Sequence, residues 1–317
     1  MSAEHTDRRT HDVQVAAPAG VVYTLIADAE NWPLYFSENI HAERLEFDGE
    51  HERLRVWSLL GGRLESCILG RRLDPVERRI DYRHEQLTAP LDFMAGSLDV
   101  SVEGPRASRA RLRYALGVVD DRPEDLARVR RAADHNCRIH IADLKTLAEQ
   151  WTRLDELTLA FEESLRVNGP PELVYDFLYR AADWPGRVPH VTGADLTEDA
   201  PGVQHLTLRT RTGHGEQTTK AVRICFPHAG RIVYKETTPA AALAAHVGEW
   251  SVVPDETGVS VSVQHRVVLR EETGAAGPDR RTALADTRRQ VRRTLSATSR
   301  TLLALAGQHA KSAVRML

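Results

Sequence analysis

The chain has 317 residues, enough for about two domains of ordinary size. Hydrophobic residues make up 42% of it and charged residues 27%, a composition typical of globular proteins that excludes a disordered or fibrous chain. The net charge of -3 disfavours a nucleic-acid partner, and the absence of a long apolar run argues against a membrane partner. Three cysteines without metal-ligand spacing and a polar N-terminus predict a cytoplasmic protein without a metal site.

The first predicted elements occur in the same order in both halves of the chain. Each half begins with an alternating strand, at Val13–Val15 and at Leu165–Val167. A proline-bearing turn then opens a short helix, predicted over 21–27 and 173–180. Proline is tolerated in the first turn of a helix because its missing N–H would have no partner there. A loop with a Trp-Pro pair follows, at Trp32-Pro33 in the first half.

Several strands with a period of two come next, and each half closes with a long helix. The apolar residues of both helices lie three or four positions apart, which predicts one buried stripe per helix. The two stripes are Cys137, Ile141, Leu144, Ala148 and Trp151, and Val291, Leu295, Thr298, Leu302 and Leu305. A curved antiparallel sheet around a long C-terminal helix makes an α+β layer pair, with room for a ligand cavity between its layers.

The two halves are related by a constant offset of 152 residues. The repeated residues include Val22-Tyr23 with Val174-Tyr175, Trp32-Pro33 with Trp184-Pro185, Arg71 with Arg223, Arg79-Ile80 with Arg231-Ile232, Tyr82 with Tyr234, and Gly96 with Gly248. Chance does not place three repeated dipeptides in one register without a gap. The chain is therefore predicted to contain two tandem domains, over 1–153 and 156–317.

This order of elements resembles the helix-grip, or START/Bet v 1-like, superfamily. Residues 29–39 (AENWPLYFSEN) and 70–75 (GRRLDP) are similar to signature stretches of the aromatase/cyclases of bacterial aromatic (type II) polyketide biosynthesis. The duplication, with 222–227 (VRICFP) in the second half, resembles the didomain branch of that family. The resemblance covers nearly the whole chain and implies two tandem helix-grip domains.

The resemblance also implies a reaction. Its substrate would be a ketoreduced poly-β-ketone carried as a thioester on an acyl carrier protein. The enzyme would direct the first-ring aldol closure (C7–C12) and the dehydration that makes the ring aromatic, without a cofactor. The oligomeric state is left open, with a homodimer as one alternative.

The catalytic group that the resemblance implies is a pocket arginine. A guanidinium can donate hydrogen bonds to a developing oxyanion but cannot serve as the base. Arg71, Arg72 and Arg223 lie where this arginine falls. Adjacent strand residues face opposite sides, so only one of Arg71 and Arg72 can enter a pocket, and the sequence leaves open which one. An exposed strand arginine is the alternative for each of the three.

Five histidines are weighed as proton carriers or ligand contacts, among them His246 in the strand region of the second half and His265 on a late strand. His190 follows the Trp-Pro loop of the second half and is the candidate catalytic histidine. His140, on the first long helix, is a candidate substrate contact, with a place beside the apolar stripe as an equal alternative. His214 stands between two glycines and is expected to be a solvated turn residue.

Four aromatic residues are candidate walls for a planar substrate. For Trp32 and Trp184 the alternative is an anchor of the Trp-Pro loop, and for Tyr234 it is a core position with a satisfied hydroxyl. Trp250 falls at the position of Leu98 in the first half. Because the second half carries more polar candidates, the sequence favours it as the catalytic copy.

The remaining signals concern partners and alternative functions. Motifs of hydrolases, kinases and metalloenzymes are absent from the sequence. Basic runs at 128–131 and 288–293 are either docking sites for an acidic carrier protein or solvated helix faces. The alternative function is a START-like carrier that binds a lipid or another hydrophobic ligand without changing it. A third possibility is that one copy has lost its pocket and serves as an interface.

Overall fold

The computed structural model describes residues 6–213, 215–270 and 278–314. Contacts between Cα atoms divide the chain into two compact units, Met1–Leu154 and Asp155–Leu317. Within the described ranges, every helix is too short or too polar to cross a bilayer.

The first unit contains an antiparallel sheet whose described strands follow the order β1-β7-β6-β5-β4-β3-β2. These strands are β1 (Asp7–Val15), β2 (Asn39–Phe47), β3 (His51–Leu60), β4 (Arg63–Asp74), β5 (Arg79–His84), β6 (Leu91–Gly104) and β7 (Ala107–Val118). The helices of this part of the chain are α1 (Ala19–Ala27), α2 (Trp32–Tyr35), α3 (Pro123–Glu149) and the short α4 (Leu154–Leu157). All strands from β2 to β7 pair with their neighbours along the chain, so only β1 needs a long connection to reach its partner β7.

The second unit repeats this topology, with the strand order β8-β14-β13-β12-β11-β10-β9. Its strands are β8 (Thr158–Val167), β9 (Val191–Ala200), β10 (Val203–Thr212), β11 (Gly215–Phe226), β12 (Arg231–Thr238), β13 (Leu243–Asp255) and β14 (Gly258–Leu269). Its helices are α5 (Pro171–Tyr179) and α6 (Pro278–Val314). The α+β class and the tandem helix-grip architecture expected from the sequence are confirmed.

Proline residues define the start of the helices. Pro18 precedes α1, while Pro171 and Pro123 stand in the first turns of α5 and α3. The short helices therefore begin two residues earlier than the predicted 21 and 173. Glu124 and Asp125 follow Pro123, where a negative charge is favourable because of the helix dipole.

The buried faces of the long helices only partly match the predicted stripes. In α3 the predicted residues from Cys137 to Ala148 are buried, while Trp151 lies after the helix in a 3-10 turn. In α6, Leu295, Thr298 and Leu305 are half-buried rather than buried. Among the residues of α6 whose burial is described, those that are buried are Val291, Ser299, Leu302, Leu303, Ala306, Gly307 and Ala310. The buried face of α6 is thus shifted by about one residue from the predicted stripe, and it includes the polar side chain of Ser299.

One cross-strand row explains why tyrosine and glycine recur in both units. Arg71 pairs with Tyr82, Tyr82 with Gly96, and Gly96 with Tyr114, so their side-chain positions share one face of the sheet. The Tyr82 ring crosses Gly96: a Cβ there would lie 2.7 Å from the tyrosine Oη. The second unit has the same arrangement around Gly248. Glycine is required at these positions because the tyrosine ring occupies the space of a side chain.

Candidate active site

A cavity of about 530 Å³ lies in the first unit, between the concave face of the sheet and α3. This is within the volume range of pockets that enclose an organic ligand. Its wall is mostly apolar and includes Val56, Leu69, Ile80, Leu98, Leu112 and Leu144. The polar groups that reach it include Arg71, Tyr82, His84, Asn136 and His140. A ligand inside would therefore meet a few hydrogen-bonding groups at defined positions.

Arg71 lines this cavity and is held firmly by neighbouring groups. Its Nε donates to Oε1 of Glu52 at 2.7 Å, and Nη2 contacts the same oxygen. Nη1 donates to the carbonyl of Ile26 at 2.9 Å, and Nη2 donates to the carbonyl of Ala27 at 2.8 Å. Four of its five N–H groups are thus committed, which leaves one Nη1–H for a ligand.

These contacts give Arg71 a structural role at the end of α1. Carbonyls in the last turn of a helix have no partner within the helix, and Arg71 supplies donors to two of them. The indole N–H of Trp32 donates to one of the same carbonyls, that of Ile26, at 3.0 Å. The guanidinium lies 4.6 Å from the centroid of the Trp32 ring, so the two caps also contact each other.

Burial and charge act on the pKa of Arg71 in opposite directions. Burial lowers this pKa below the usual range of arginine, while the neighbouring carboxylate of Glu52 raises it. Glu52 also accepts a hydrogen bond from Nε of Arg44 at 3.1 Å. The buried carboxylate is therefore shared between two guanidinium groups.

Arg72 lies on the other face of β4. Its side chain is 52% exposed, against 1% for Arg71, and it contacts Glu50 at the surface. The structure thereby answers the question that the sequence left open, since only Arg71 lines the cavity.

His84 is a cavity residue that the sequence reasoning missed. It lies two residues after Tyr82 on β5 and therefore on the same face of the sheet. Burial lowers the pKa of His84 to about 4, so its imidazole is neutral at neutral pH. The signal that could have found it is this spacing of two from the repeated tyrosine.

Two residues proposed from the sequence also line the cavity, Trp32 and His140. The His140 ring lies 5.5 Å from that of Phe36, centroid to centroid, on the α3 side. Burial raises the pKa of Tyr82, so its hydroxyl keeps its proton and acts as a donor. The cavity thus combines a neutral imidazole, a phenol and one guanidinium N–H.

In the second unit, Arg223 repeats the capping role without a carboxylate partner. It donates to the carbonyls of Leu178 and Tyr179 at the end of α5, at 2.5 Å and 3.3 Å. The position of Glu52 is taken by Gln204, whose Oε1 accepts from Nη1 at 2.9 Å. Trp184 repeats the role of Trp32 and donates to the carbonyl of Phe177 at 3.0 Å. The recurrence of arginine and tryptophan thus follows from helix capping in both units.

A buried polar cluster occupies the concave face of the second unit. Nε2 of His246 lies 3.0 Å from Nδ1 of His265, whose Nε2 lies 2.8 Å from Oγ of Ser299. The Tyr234 hydroxyl lies 3.2 Å from Nδ1 of His265, and Nδ1 of His246 lies 3.1 Å from Glu236. Burial lowers the pKa of His265 to about 3, so this ring is neutral. The hydrophilic side chains here contact one another.

The other sequence candidates of the second unit lie apart from the cavity. Trp184 and Trp250 are buried in its hydrophobic core. His190 is half-buried before β9, and burial lowers its pKa. His214 lies outside the described residues. The cavity is lined by residues of the first unit. It therefore does not support the prediction from the sequence that the second unit is the catalytic copy.

Arginines of the two basic runs contact neighbouring acidic or backbone groups. Arg128 lines the cavity and pairs with Asp125 at 2.8 Å. Arg288 donates to backbone carbonyls of the segment that leads into β8, including that of Thr158 at 2.6 Å. Among the described residues, His, Cys, Asp and Glu form no group of three that could hold a metal ion.

Comparison with known proteins gives consistent relatives. The family described as "Polyketide cyclase / dehydrase and lipid transport" matches residues 167–295. The actinorhodin polyketide synthase bifunctional cyclase/dehydratase of Streptomyces coelicolor is 33% identical, over 96% of this chain and 96% of that protein. The granaticin polyketide synthase bifunctional cyclase/dehydratase of Streptomyces virginiae is 35% identical, over 76% of this chain and 79% of its own length.

Two solved structures also resemble the chain along nearly its whole length. The di-domain ARO/CYC BexL from the BE-7585A biosynthetic pathway is 38% identical, with a TM-score of 0.82, and covers 96% of this chain and 98% of its own. The di-domain ARO/CYC StfQ from the steffimycin biosynthetic pathway is 28% identical, with a TM-score of 0.80, and covers 96% of this chain and 99% of its own.

Proposed function

The chain belongs to the family of polyketide synthase bifunctional cyclase/dehydratases, and from this premise we propose that it cyclises and dehydrates a poly-β-ketone inside the cavity of its first unit. The substrate would arrive ketoreduced, as a thioester on an acyl carrier protein. The reaction would close the first ring by an aldol addition and make it aromatic by loss of water. The observation that carries this proposal is a mostly apolar cavity into which a guanidinium, a phenol and imidazoles project.

The polar groups favour catalysis over a START-like carrier. A carrier of lipids needs only an apolar wall, whereas Arg71, Tyr82 and His84 lie on the concave face that forms the cavity. Burying such groups costs free energy unless they find partners or serve a polar ligand. A chain of alternating carbonyl and methylene groups would use both the apolar wall and the polar groups.

The cavity would act chiefly by holding reacting carbons together. Fixing two reactants in a productive geometry can supply about 7–11 kcal/mol towards a barrier. The remaining Nη1–H of Arg71 would donate to a carbonyl oxygen as it becomes an oxyanion. Of the residues proposed from the sequence, Trp32 and His140 also line the cavity and would contact the substrate.

Arg128 supports an acidic carrier protein as the partner. It lines the cavity from α3, and its side chain is 65% exposed. An anionic carrier protein would be attracted to this side of the cavity by charge complementarity. The α3 run 128–131 is thus retained as the proposed docking site.

The test is reconstitution with a minimal polyketide synthase and a ketoreductase, with the protein added or omitted. We expect the protein to replace spontaneously cyclised products by one aromatic product. Leu98→Trp, which extends an indole into the cavity, should reduce that product by about 10²-fold, because misplacing reacting atoms by about 1 Å has this effect.

Val102→Trp is the matched control, since it introduces the same side chain on the same strand at an exposed position. It should behave like the wild type. An unchanged product profile in the presence of the wild-type protein would refute the proposed function, and equal behaviour of the two tryptophan variants would remove the cavity from it.

A further inference from the structure

An aldol cyclisation needs a group that moves protons, and Arg71 cannot be that group. An α-proton must leave a carbon atom, and the alkoxide formed by ring closure must receive a proton. A guanidinium is never deprotonated in proteins, and four of the five N–H groups of Arg71 are committed to Glu52 and to the end of α1. The proton carrier is therefore another group of the cavity.

His84 lies close to Arg71 on the concave face. Leu69 pairs with His84 and Arg71 pairs with Tyr82, so the arginine and the histidine are on adjacent strands and displaced by two residues. This displacement amounts to about 7 Å along the strand. One ketide unit held by the Arg71 N–H would thus place its neighbouring carbons near the imidazole.

The ionisable groups near His84 come from several elements: Arg83 and Glu85 flank it in the chain, Asp92 of β6 lines a shallow pocket with it, and Glu38, before β2, lines the cavity. Tyr82 precedes it on β5, Glu65, Cys67 and Arg71 belong to β4, and Arg128, Cys137 and His140 reach the cavity from α3. Burial raises the pKa of Cys67 to about 11 and that of Cys137 to about 12, so both thiols keep their protons. Glu65 is exposed.

Burial weakens the imidazole of His84 as a base and makes its conjugate acid a stronger proton donor, and the ring can take part in both halves of a proton transfer. Burial keeps it neutral, so one ring nitrogen carries a proton and the other has a free lone pair. A neutral imidazole can accept the α-proton, and the imidazolium that results can return it to an oxygen.

The second unit carries a proton-exchanging side chain at the same position. The offset of 152 equates His84 with Glu236, whose Oε1 lies 3.1 Å from Nδ1 of His246. The counterpart of His246 is Met94, which lines the cavity of the first unit. The carboxylate thus lies beside a histidine in the second unit, whereas in the first unit His84 and Met94 both line the cavity.

We propose that His84 is the proton-transferring catalytic residue of the cyclisation, an inference that rests on the proposed function. Its free nitrogen takes the α-proton, and the C–H electron pair becomes an enolate. The enolate carbon then bonds to the carbonyl carbon, whose oxygen becomes an alkoxide and takes the proton from the imidazolium. In the dehydration, His84 takes a second α-proton and gives it to the departing hydroxide, so water leaves and His84 is neutral again.

The test compares His84→Gln, His84→Ala and the matched control His51→Gln in the reconstituted system; His51 is a histidine of the same unit whose side chain is 60% exposed on β3. Both His84 variants should lower kcat for the aromatic product by about 10²- to 10⁴-fold with little change in KM, the usual contribution of general acid–base catalysis. Added imidazole should restore activity to His84→Ala, which leaves a space of its size, and should not affect His84→Gln. His51→Gln should leave kcat and KM unchanged, because its side chain lies at the surface.

Wild-type kcat in the His84 variants, or a loss that imidazole does not restore in His84→Ala, would overturn the role of His84. The proposed function would still stand in both cases, because the wild-type protein would still change the product profile. Failure of the wild type to change that profile is the separate result that refutes the function itself. Far-ultraviolet circular dichroism of each variant would verify that it is folded.

Discussion

Arg71 and Arg223 occupy equivalent positions in the two units, but their charges are balanced differently. Arg71 contacts the buried carboxylate of Glu52, whereas Arg223 contacts the neutral amide of Gln204. Both cap the end of a short helix. The capping role accounts for the recurrence of arginine, and the carboxylate is particular to the unit with the cavity.

Replacing Arg71 should destabilise the fold, because the buried carboxylate of Glu52 would lose one of its two guanidinium partners. Arg71→Met should lower the free energy of unfolding by about 3 kcal/mol, the low end for breaking a buried ion pair, since Arg44 still contacts Glu52. Urea unfolding followed by circular dichroism measures this change. Arg72→Met removes only an exposed pair with Glu50 and is the control, expected to match the wild type. An equal decrease in the free energy of unfolding of Arg71→Met and Arg72→Met would contradict the structural role of Arg71.

At the scale of elements, α6 contacts the sheet of the second unit through a polar cluster as well as an apolar face. His265 on β14 contacts Ser299 on α6 and His246 on β13, so it joins the helix to two strands. The Phe161 ring of β8 stacks on the His265 ring at 5.0 Å. Burial and the neighbouring His246 oppose protonation of the His265 ring, because a proton would place a charge in the core.

The stability of the second unit should therefore depend on pH. His265 has a pKa of about 3 in the folded chain and an ordinary value of 6.5, so the unfolded chain binds the proton more readily. Its contribution is present above pH 6.5 and is lost as the pH falls towards 3. Urea midpoints measured between pH 4 and 7 should decrease towards acid, and more steeply for the wild type than for His265→Gln. Parallel pH profiles would exclude His265 as the cause.

At the scale of the whole molecule, the two units use one topology for two kinds of interior. The first encloses a cavity of about 530 Å³. At the same places in the second, Trp250 replaces Leu98, His246 replaces Met94, and Glu236 replaces His84. Trp250 is buried in the hydrophobic core there. The unit with the described cavity and its repeat thus differ in these side chains at equivalent positions.

This difference predicts opposite responses to exchanging one pair of side chains. Trp250→Leu should lower the free energy of unfolding by about 3 kcal/mol, because it removes a large buried side chain from a packed core. Leu98→Trp should change it by less, since the cavity accommodates the added ring. Urea unfolding of both variants measures these changes. Similar decreases in the free energy of unfolding would contradict the prediction, because they would indicate that both interiors are packed alike.

The sequence by itself determined the duplication, the α+β class and the order of elements, because these follow from local periodicity, proline positions and a repeat in one register. It also located Arg71, Trp32 and His140, which line the cavity. Only the tertiary structure decided that Arg71 rather than Arg72 is buried and that the described cavity belongs to the first unit. Whether polar side chains face a cavity or bind one another depends on contacts between strands and helices far apart in the chain. In the second unit, His246, His265 and Ser299 contact one another across three elements, and no local pattern records such a contact.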